Sequence, residues 1–107
     1  MDKKTLNRRI SAGNFVENNG SVLRTINTLN TKYNKLKSIR HALNIEKNDI
    51  ENSINYLYEA GYLHLRCAEG KQPSSLADDD FDALEGKLTA KGIQLLAGAI
   101  QDECVEI

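Results

Sequence analysis

The chain is short of most of the residues that carry chemistry. It has two cysteines, two histidines, one proline and no tryptophan. Cys67 and Cys104 show neither a CxxC motif nor a Cys/His metal spacing, and two cysteines do not make a secreted disulfide framework, so both read as free thiols. His41 and His64 lie outside any HExxH or nucleophile motif and read as solvated side chains. The glycines are scattered: Gly13, Gly20 and Gly61 are isolated, and Gly86, Gly92 and Gly98 fall within an expected strand or helix, so there is no phosphate-cradling loop. No apolar run approaches the roughly 20 residues of a membrane span, and no signal-peptide hydrophobic region follows Met1-Asp2-Lys3-Lys4. The expectation is a cytoplasmic protein that is not an enzyme, with no cofactor and no membrane partner.

At 107 residues the chain fits one domain, and 40% apolar with 27% charged residues is the balance of a soluble globular fold. The net charge of −1 conceals a division. Residues 1–45 hold nine basic side chains against two acidic ones, and residues 46–107 hold five against thirteen. Such asymmetry suggests an anionic partner for the basic half, or neutralisation of one half by the other within the fold or between subunits.

Lys3 to Ile10 predicts one short helix with Leu6 and Ile10 four apart, ended by Gly13-Asn14. Asn18-Asn19-Gly20-Ser21 reads as a turn that starts a second helical segment, whose stripe is Val22, Ile26, Leu29 and Tyr33. A brief strand at Asn34–Lys37 precedes a helix capped by Ser38, with Ile39, Ala42 and Leu43 as its apolar face. After a tight connection at residues 44–47, Asn48 and Glu51 have the form of a capping box. They open a helix with Ile50, Ile54 and Leu57 on one face and Gly61 as its left-handed end. The period then changes to two. Leu63, Leu65 and Cys67 share one face of a strand, with Tyr62, His64 and Arg66 on the other. Residues 69–75 read as a loop, and Leu84, Gly86 and Leu88 alternate with Glu85 and Lys87 in a second strand. A last helix capped by Thr89 shows Ile93, Leu96, Ala97 and Ile100 at helical spacing.

The stretches IRHALNIEKNDIENSINYLYEAGYLHL and LTAKGIQLL carry a resemblance to the winged helix-turn-helix family, in particular to small MarR-like and PadR-like bacterial or prophage regulators. The resemblance spans roughly residues 18–101. It implies an α+β, mainly α fold: a three-helix core with a β-hairpin wing and flanking N- and C-terminal helices. Residues 1–17 would form an N-terminal helical arm, 18–101 the core and 102–107 a tail. It further implies that the third helix is the recognition helix, that residues 67–82 hold the wing, and that the protein is a homodimeric transcriptional regulator of double-stranded DNA.

On that reading Asn48, Asn52, Asn55 and Tyr56 are base-reading candidates, since a carboxamide pairs in bidentate fashion with the N6/N7 edge of adenine and a tyrosine hydroxyl reaches a phosphate. Lys35, Lys37, Arg40 and Lys47 are phosphate-contact candidates, and Lys3, Lys4, Arg8 and Arg9 form an additional basic arm. Charge opposes the assignment at the third helix, where Glu46, Asp49, Glu51 and Glu59 face a single lysine. A protein interaction or assembly module, using that acidic helix and the acidic hairpin to meet a basic protein partner, is the alternative. Asp78, Asp80 and Asp82 occupy positions 1, 3 and 5 of a calcium-loop pattern, but Ala83 stands where the turn needs glycine and Thr89 where a bidentate glutamate is needed, so no metal is expected there.

Overall fold

A computed structural model describes residues 3–28 and 31–107. Its elements run α1 (Lys3–Asn27), β1 (Asn34–Lys35), α2 (Leu36–Leu43), α3 (Lys47–Glu59), β2 (Leu63–Cys67), a 3₁₀ turn (Phe81–Ala83), β3 (Leu84–Leu88) and α4 (Ala90–Leu96). The fold is α+β, about half helical, with a three-stranded antiparallel sheet in the order β1-β3-β2. Among the described residues no helix is long and apolar enough to cross a membrane.

The first helix departs most from the sequence expectation. Neither Gly13-Asn14 nor Asn18-Asn19-Gly20-Ser21 breaks it; α1 runs unbroken for 25 residues. The turn-forming tetrapeptide is instead where the C-terminal segment docks. Asn19 is fully buried and donates from Nδ2 to the Cys104 carbonyl at 2.8 Å. The Glu106 amide donates to the Val16 carbonyl at 3.1 Å, and a Cβ on Gly20 would lie 1.7 Å from the Glu106 carbonyl oxygen. Gly20 is therefore present for close approach, not for a turn. Tertiary contacts override a local turn preference worth about 1 kcal/mol per residue. Val22, Leu23 and Ile26 sit wholly in the core. Leu29 lies outside the described residues, as does the side chain of Ile10. Tyr33 follows the helix rather than extending it.

Shorter elements shift by a few residues. The strand before α2 is only Asn34–Lys35, and α2 begins at Leu36 with Lys35 at its N-cap, so Ser38 is inside the helix. Leu36 and Ile39 are buried, while Ala42 is exposed. The Asn48/Glu51 capping box does not form, because α3 starts two residues earlier with Glu46 at its N-cap and no side-chain capping bond. The buried stripe Ile50, Ile54, Leu57 is as the periodicity predicts, and Gly61 takes φ +87°. The end of α3 is fastened by Lys91, whose Nζ donates to the Ala60 carbonyl at 2.9 Å, and by the Thr89 hydroxyl on the Gly61 carbonyl.

In the sheet β3 is central, pairing Leu63 with Leu88 and Arg66 with Glu85 across β2 and Asn34 with Gly86 across β1. Pro73 and Ser74 fold back along the outer edge of β2, with the Ser74 amide on the Leu65 carbonyl at 3.1 Å. That covers an edge that would otherwise offer unpaired backbone groups. Thr89 caps α4 as expected, accepting from the Gly92 amide at 3.1 Å. The buried face of α4 is not Ile93, Leu96 and Ala97 but Gly92 and Leu95, and Ile93 is 42% exposed. A Cβ on Gly92 would lie 2.4 Å from the Tyr62 carbonyl, so glycine here lets the helix lie against the start of β2 and fixes its rotation. The helix stops at Leu96, before Ile100. Val105 returns to the core at 6% exposure.

Candidate nucleic-acid interface

Core packing fixes the rotation of α3. With Ile50, Ser53, Ile54 and Leu57 buried, Asn48, Asn52, Asn55 and Glu59 emerge together on the opposite side, all exposed. Three of the four base-reading candidates are thus brought onto one open face. Tyr56 is not with them. It is half-buried toward α1, its ring meets Phe15 edge-on at 5.5 Å, and its hydroxyl donates to the Asp102 carboxylate at 2.6 Å. A hydroxyl committed to a carboxylate is not offered to a phosphate, so Tyr56 leaves the candidate set.

The basic candidates cluster on α2 and its approach. Lys35 and Lys37 are exposed, and Lys37, Arg40 and His41 border an open groove that also includes Asn44, Ile45 and, from the 3₁₀ turn before β3, Asp82. Arg40 is partly spoken for: its Nε donates to the Ile45 carbonyl at 3.1 Å and so braces the turn joining α2 to α3. Asn44 in that turn adopts φ 53°, the left-handed conformation an asparagine tolerates. Lys47 is exposed at the start of α3, 4.0 Å from Glu51 one turn on. The side chains of Lys4, Arg8 and Arg9, the expected basic arm, lie outside the described residues.

Beside the asparagine face a second groove opens between α1 and α3, lined by Asn14, Phe15, Asn18, Asp49 and Asn52. The three residues from α1 escaped the sequence reading of the site because the helix was broken there into separate pieces. The four-residue step from Asn14 to Asn18 is the signal that places them on one face.

Two further clusters hold the frame. On β3, Glu85 is buried and takes the Arg66 guanidinium directly across the strand pair, with Lys71 Nζ at 3.4 Å. Burial alone would raise the Glu85 carboxyl, but the hydrogen bond and charge of Arg66, aided by Lys71, bring it below its ordinary value. The same guanidinium lies 3.6 Å over the Tyr33 ring, tying the segment before β1 to the sheet. Outside the core, Asp102 accepts from Tyr56, from the Tyr62 hydroxyl at 2.7 Å and from the Cys104 amide at 2.8 Å. Burial works to raise Asp102 too, and the two tyrosine hydroxyls with the Cys104 amide lower it overall. Tyr62, expected on an open strand face, is 4% exposed, and its phenol is pushed up to about 12, first by burial and then by Asp102.

The aspartate run makes local bonds. Asp79 accepts from Ser74 Oγ, Asp78 from Ser75 Oγ at 3.1 Å, and Phe81 anchors the run by packing into the core at 3% exposure. Among the described residues no group of three His, Cys, Asp or Glu side chains is placed to hold a metal ion. Compared with protein-family models, with curated proteins and with solved structures, the chain matches none.

Proposed function

We propose that the chain is a small winged-helix DNA-binding protein that regulates transcription, with α3 as its recognition helix. The observation that carries the reading is the joint placement of α2 and α3. They are linked by a three-residue turn at Asn44–Glu46, Lys35 and Lys37 lie open on the approach to and first turn of α2, and Asn48, Asn52 and Asn55 lie open on α3. The element order, with two strands after the third helix and a short strand between the first two helices, supports the same plan. In this arrangement α2 crosses the phosphate backbone, where counterion release supplies affinity, and α3 supplies side chains to base edges. Asp78, Asp79 and Asp80 are repelled by phosphate and stay clear of it, whereas Asp82 shares the groove of Lys37 and Arg40 and tempers the positive charge there. The protein acts as a homodimer, with two copies of α3 about one DNA turn apart.

A mobility-shift series at rising salt tests the proposal. Duplex binding that weakens steeply with salt is expected, and Lys37→Ala should weaken it further. No binding at low salt would overturn the reading.

A second reading, a protein interaction module without nucleic acid, is favoured by one observation: among the described residues no lysine or arginine lines the groove between α1 and α3, and Asp49 is the one charged side chain there. It predicts self-association or partner binding that dissolves as salt rises. Sedimentation across a salt series tests its self-association arm, since a monomer unaffected by salt excludes charge-driven assembly, while the mobility-shift series decides on nucleic acid.

A further inference from the structure

The open side of α3 carries amides where a nucleic-acid surface more often carries cations. Asn48, Asn52 and Asn55 are exposed, and among the described residues none of their carboxamides is engaged by another side chain or by backbone. Lys47, the only cation of α3, sits at its first turn beside Glu51. The groove that Asn52 shares with Asn14, Phe15, Asn18 and Asp49 adds two more amides and a carboxylate and, among the described residues, no cation.

This composition selects among bases. Guanine presents two acceptors, O6 and N7, in the major groove and is matched by the paired donors of arginine or lysine. Among the described residues no such pair stands on this face. Adenine presents an acceptor at N7 beside a donor at N6, and a carboxamide, with an N–H₂ and a C=O side by side, meets both at once. Asp49 offers acceptors alone, so a guanine O6/N7 edge next to it is repelled, while an exocyclic amine is accepted.

Resting on the DNA-binding reading above, we infer that α3 selects adenine in the major groove, with Asn52 and Asn55 as the reading pair and Asn48 at the edge of the contact. Affinity and selectivity then come from different elements: Lys35 and Lys37 hold phosphate without regard to sequence, and the asparagines discriminate. A preference for A·T pairs has a rival origin in the narrow, stiff minor groove of A-tracts. The two are separable, because replacing adenine by 7-deazaadenine removes the N7 acceptor from the major groove and leaves the minor-groove edge intact.

The experiment selects duplexes from a random pool with the full chain at low salt, then measures the selected site by fluorescence anisotropy. The site is tested with adenine, 7-deazaadenine or guanine at each enriched position, against wild type, Asn52→Ala and Asn55→Ala. These side chains are exposed, and thermal melts of the variants should match wild type. Adenine enrichment is expected, with about a 10-fold loss for each 7-deazaadenine that a carboxamide reads. In the variant lacking that carboxamide the same base change should cost nothing more. Duplexes retained without adenine enrichment would overturn the inference and leave DNA binding standing. So would an adenine preference that survives both variants and the deaza substitution. A protein that retains no duplex at all overturns the DNA-binding reading, and this inference with it.

Discussion

Tyr56 on α3 donates its hydroxyl to the carboxylate of Asp102, 46 positions further along the chain, at 2.6 Å. Tyr62 donates to the same carboxylate, so one side chain from the C-terminal segment ties the recognition-helix candidate to the start of β2. With Asn19 and Gly20 receiving Cys104 and Glu106, that segment is fastened at both ends to elements that meet nowhere near it in sequence.

Asp102→Ala should therefore be felt well beyond the tail. It leaves two tyrosine hydroxyls and the Cys104 amide without their acceptor, and each buried or half-buried group so stranded costs about 1 kcal/mol or more. A fall in Tm of about 5–15 °C is expected for a domain of this size. Asp102→Asn keeps one acceptor oxygen and should recover much of the loss. If Asp102→Ala melts like wild type, the fastening contributes nothing.

Acid should destabilise the protein through Asp102 and Glu85. Both carboxyls titrate below their ordinary values of 3.8 and 4.5 in the folded state, so the unfolded chain takes up protons first as pH falls. Their stabilising effect is complete above about pH 5 and is lost as pH drops through and below the ordinary carboxylate range. The tyrosines act at the other end: with Tyr62 raised to about 12 from 10.0, its contribution is complete below pH 10 and is lost between 10 and 12. Urea titrations at pH 3, 4, 7 and 11 check both limbs. Glu85→Gln should shallow the acid limb and leave the alkaline one unchanged.

Gly20→Ala tests whether the tetrapeptide at 18–21 is a docking site. An alanine in the middle of a helix ordinarily stabilises it by about 1 kcal/mol. Here the added methyl meets the Glu106 carbonyl, so the tail must move off α1. The expected outcome is a lower Tm together with faster amide exchange at residues 102–107. A stabilised protein would mean that the tail is not held there.

What the sequence made legible follows a simple division. The stripe Ile50, Ile54, Leu57 was readable because helical periodicity is local, and once that face is buried the opposite exposure of Asn48, Asn52 and Asn55 is a matter of geometry. The alternation in β2 and β3 was readable for the same reason, although their outward residues hid an ion pair: Arg66 and Glu85 become neighbours only once the register is known. Tyr56 and Tyr62 were misplaced because their partner, Asp102, lies at least 40 residues away and leaves no mark on the local pattern. The same holds for Asn19 and Gly20, whose turn chemistry is genuine but outweighed by a tail that arrives from the far end of the chain.

Arg40 and Lys37 separate a structural cation from a binding one. Both border the groove beside α2, but among the described residues only Arg40 of the two donates within the fold, to the Ile45 carbonyl in the α2–α3 turn. Arg40→Ala should lower stability by about 1 kcal/mol, the net worth of one such hydrogen bond, and loosen the turn that sets α3 against α2. Lys37 is exposed, and Lys37→Ala should leave the melt within about 0.5 kcal/mol of wild type. If the protein binds duplex DNA as proposed, Lys37→Ala should weaken every sequence alike and reduce the salt slope by about one phosphate's worth. Arg40→Ala should in addition erode discrimination between sequences, because the asparagine face is carried by the turn that Arg40 braces. Equal losses of affinity from the two variants, with discrimination intact in both, would show that Arg40 acts at the DNA as a charge alone.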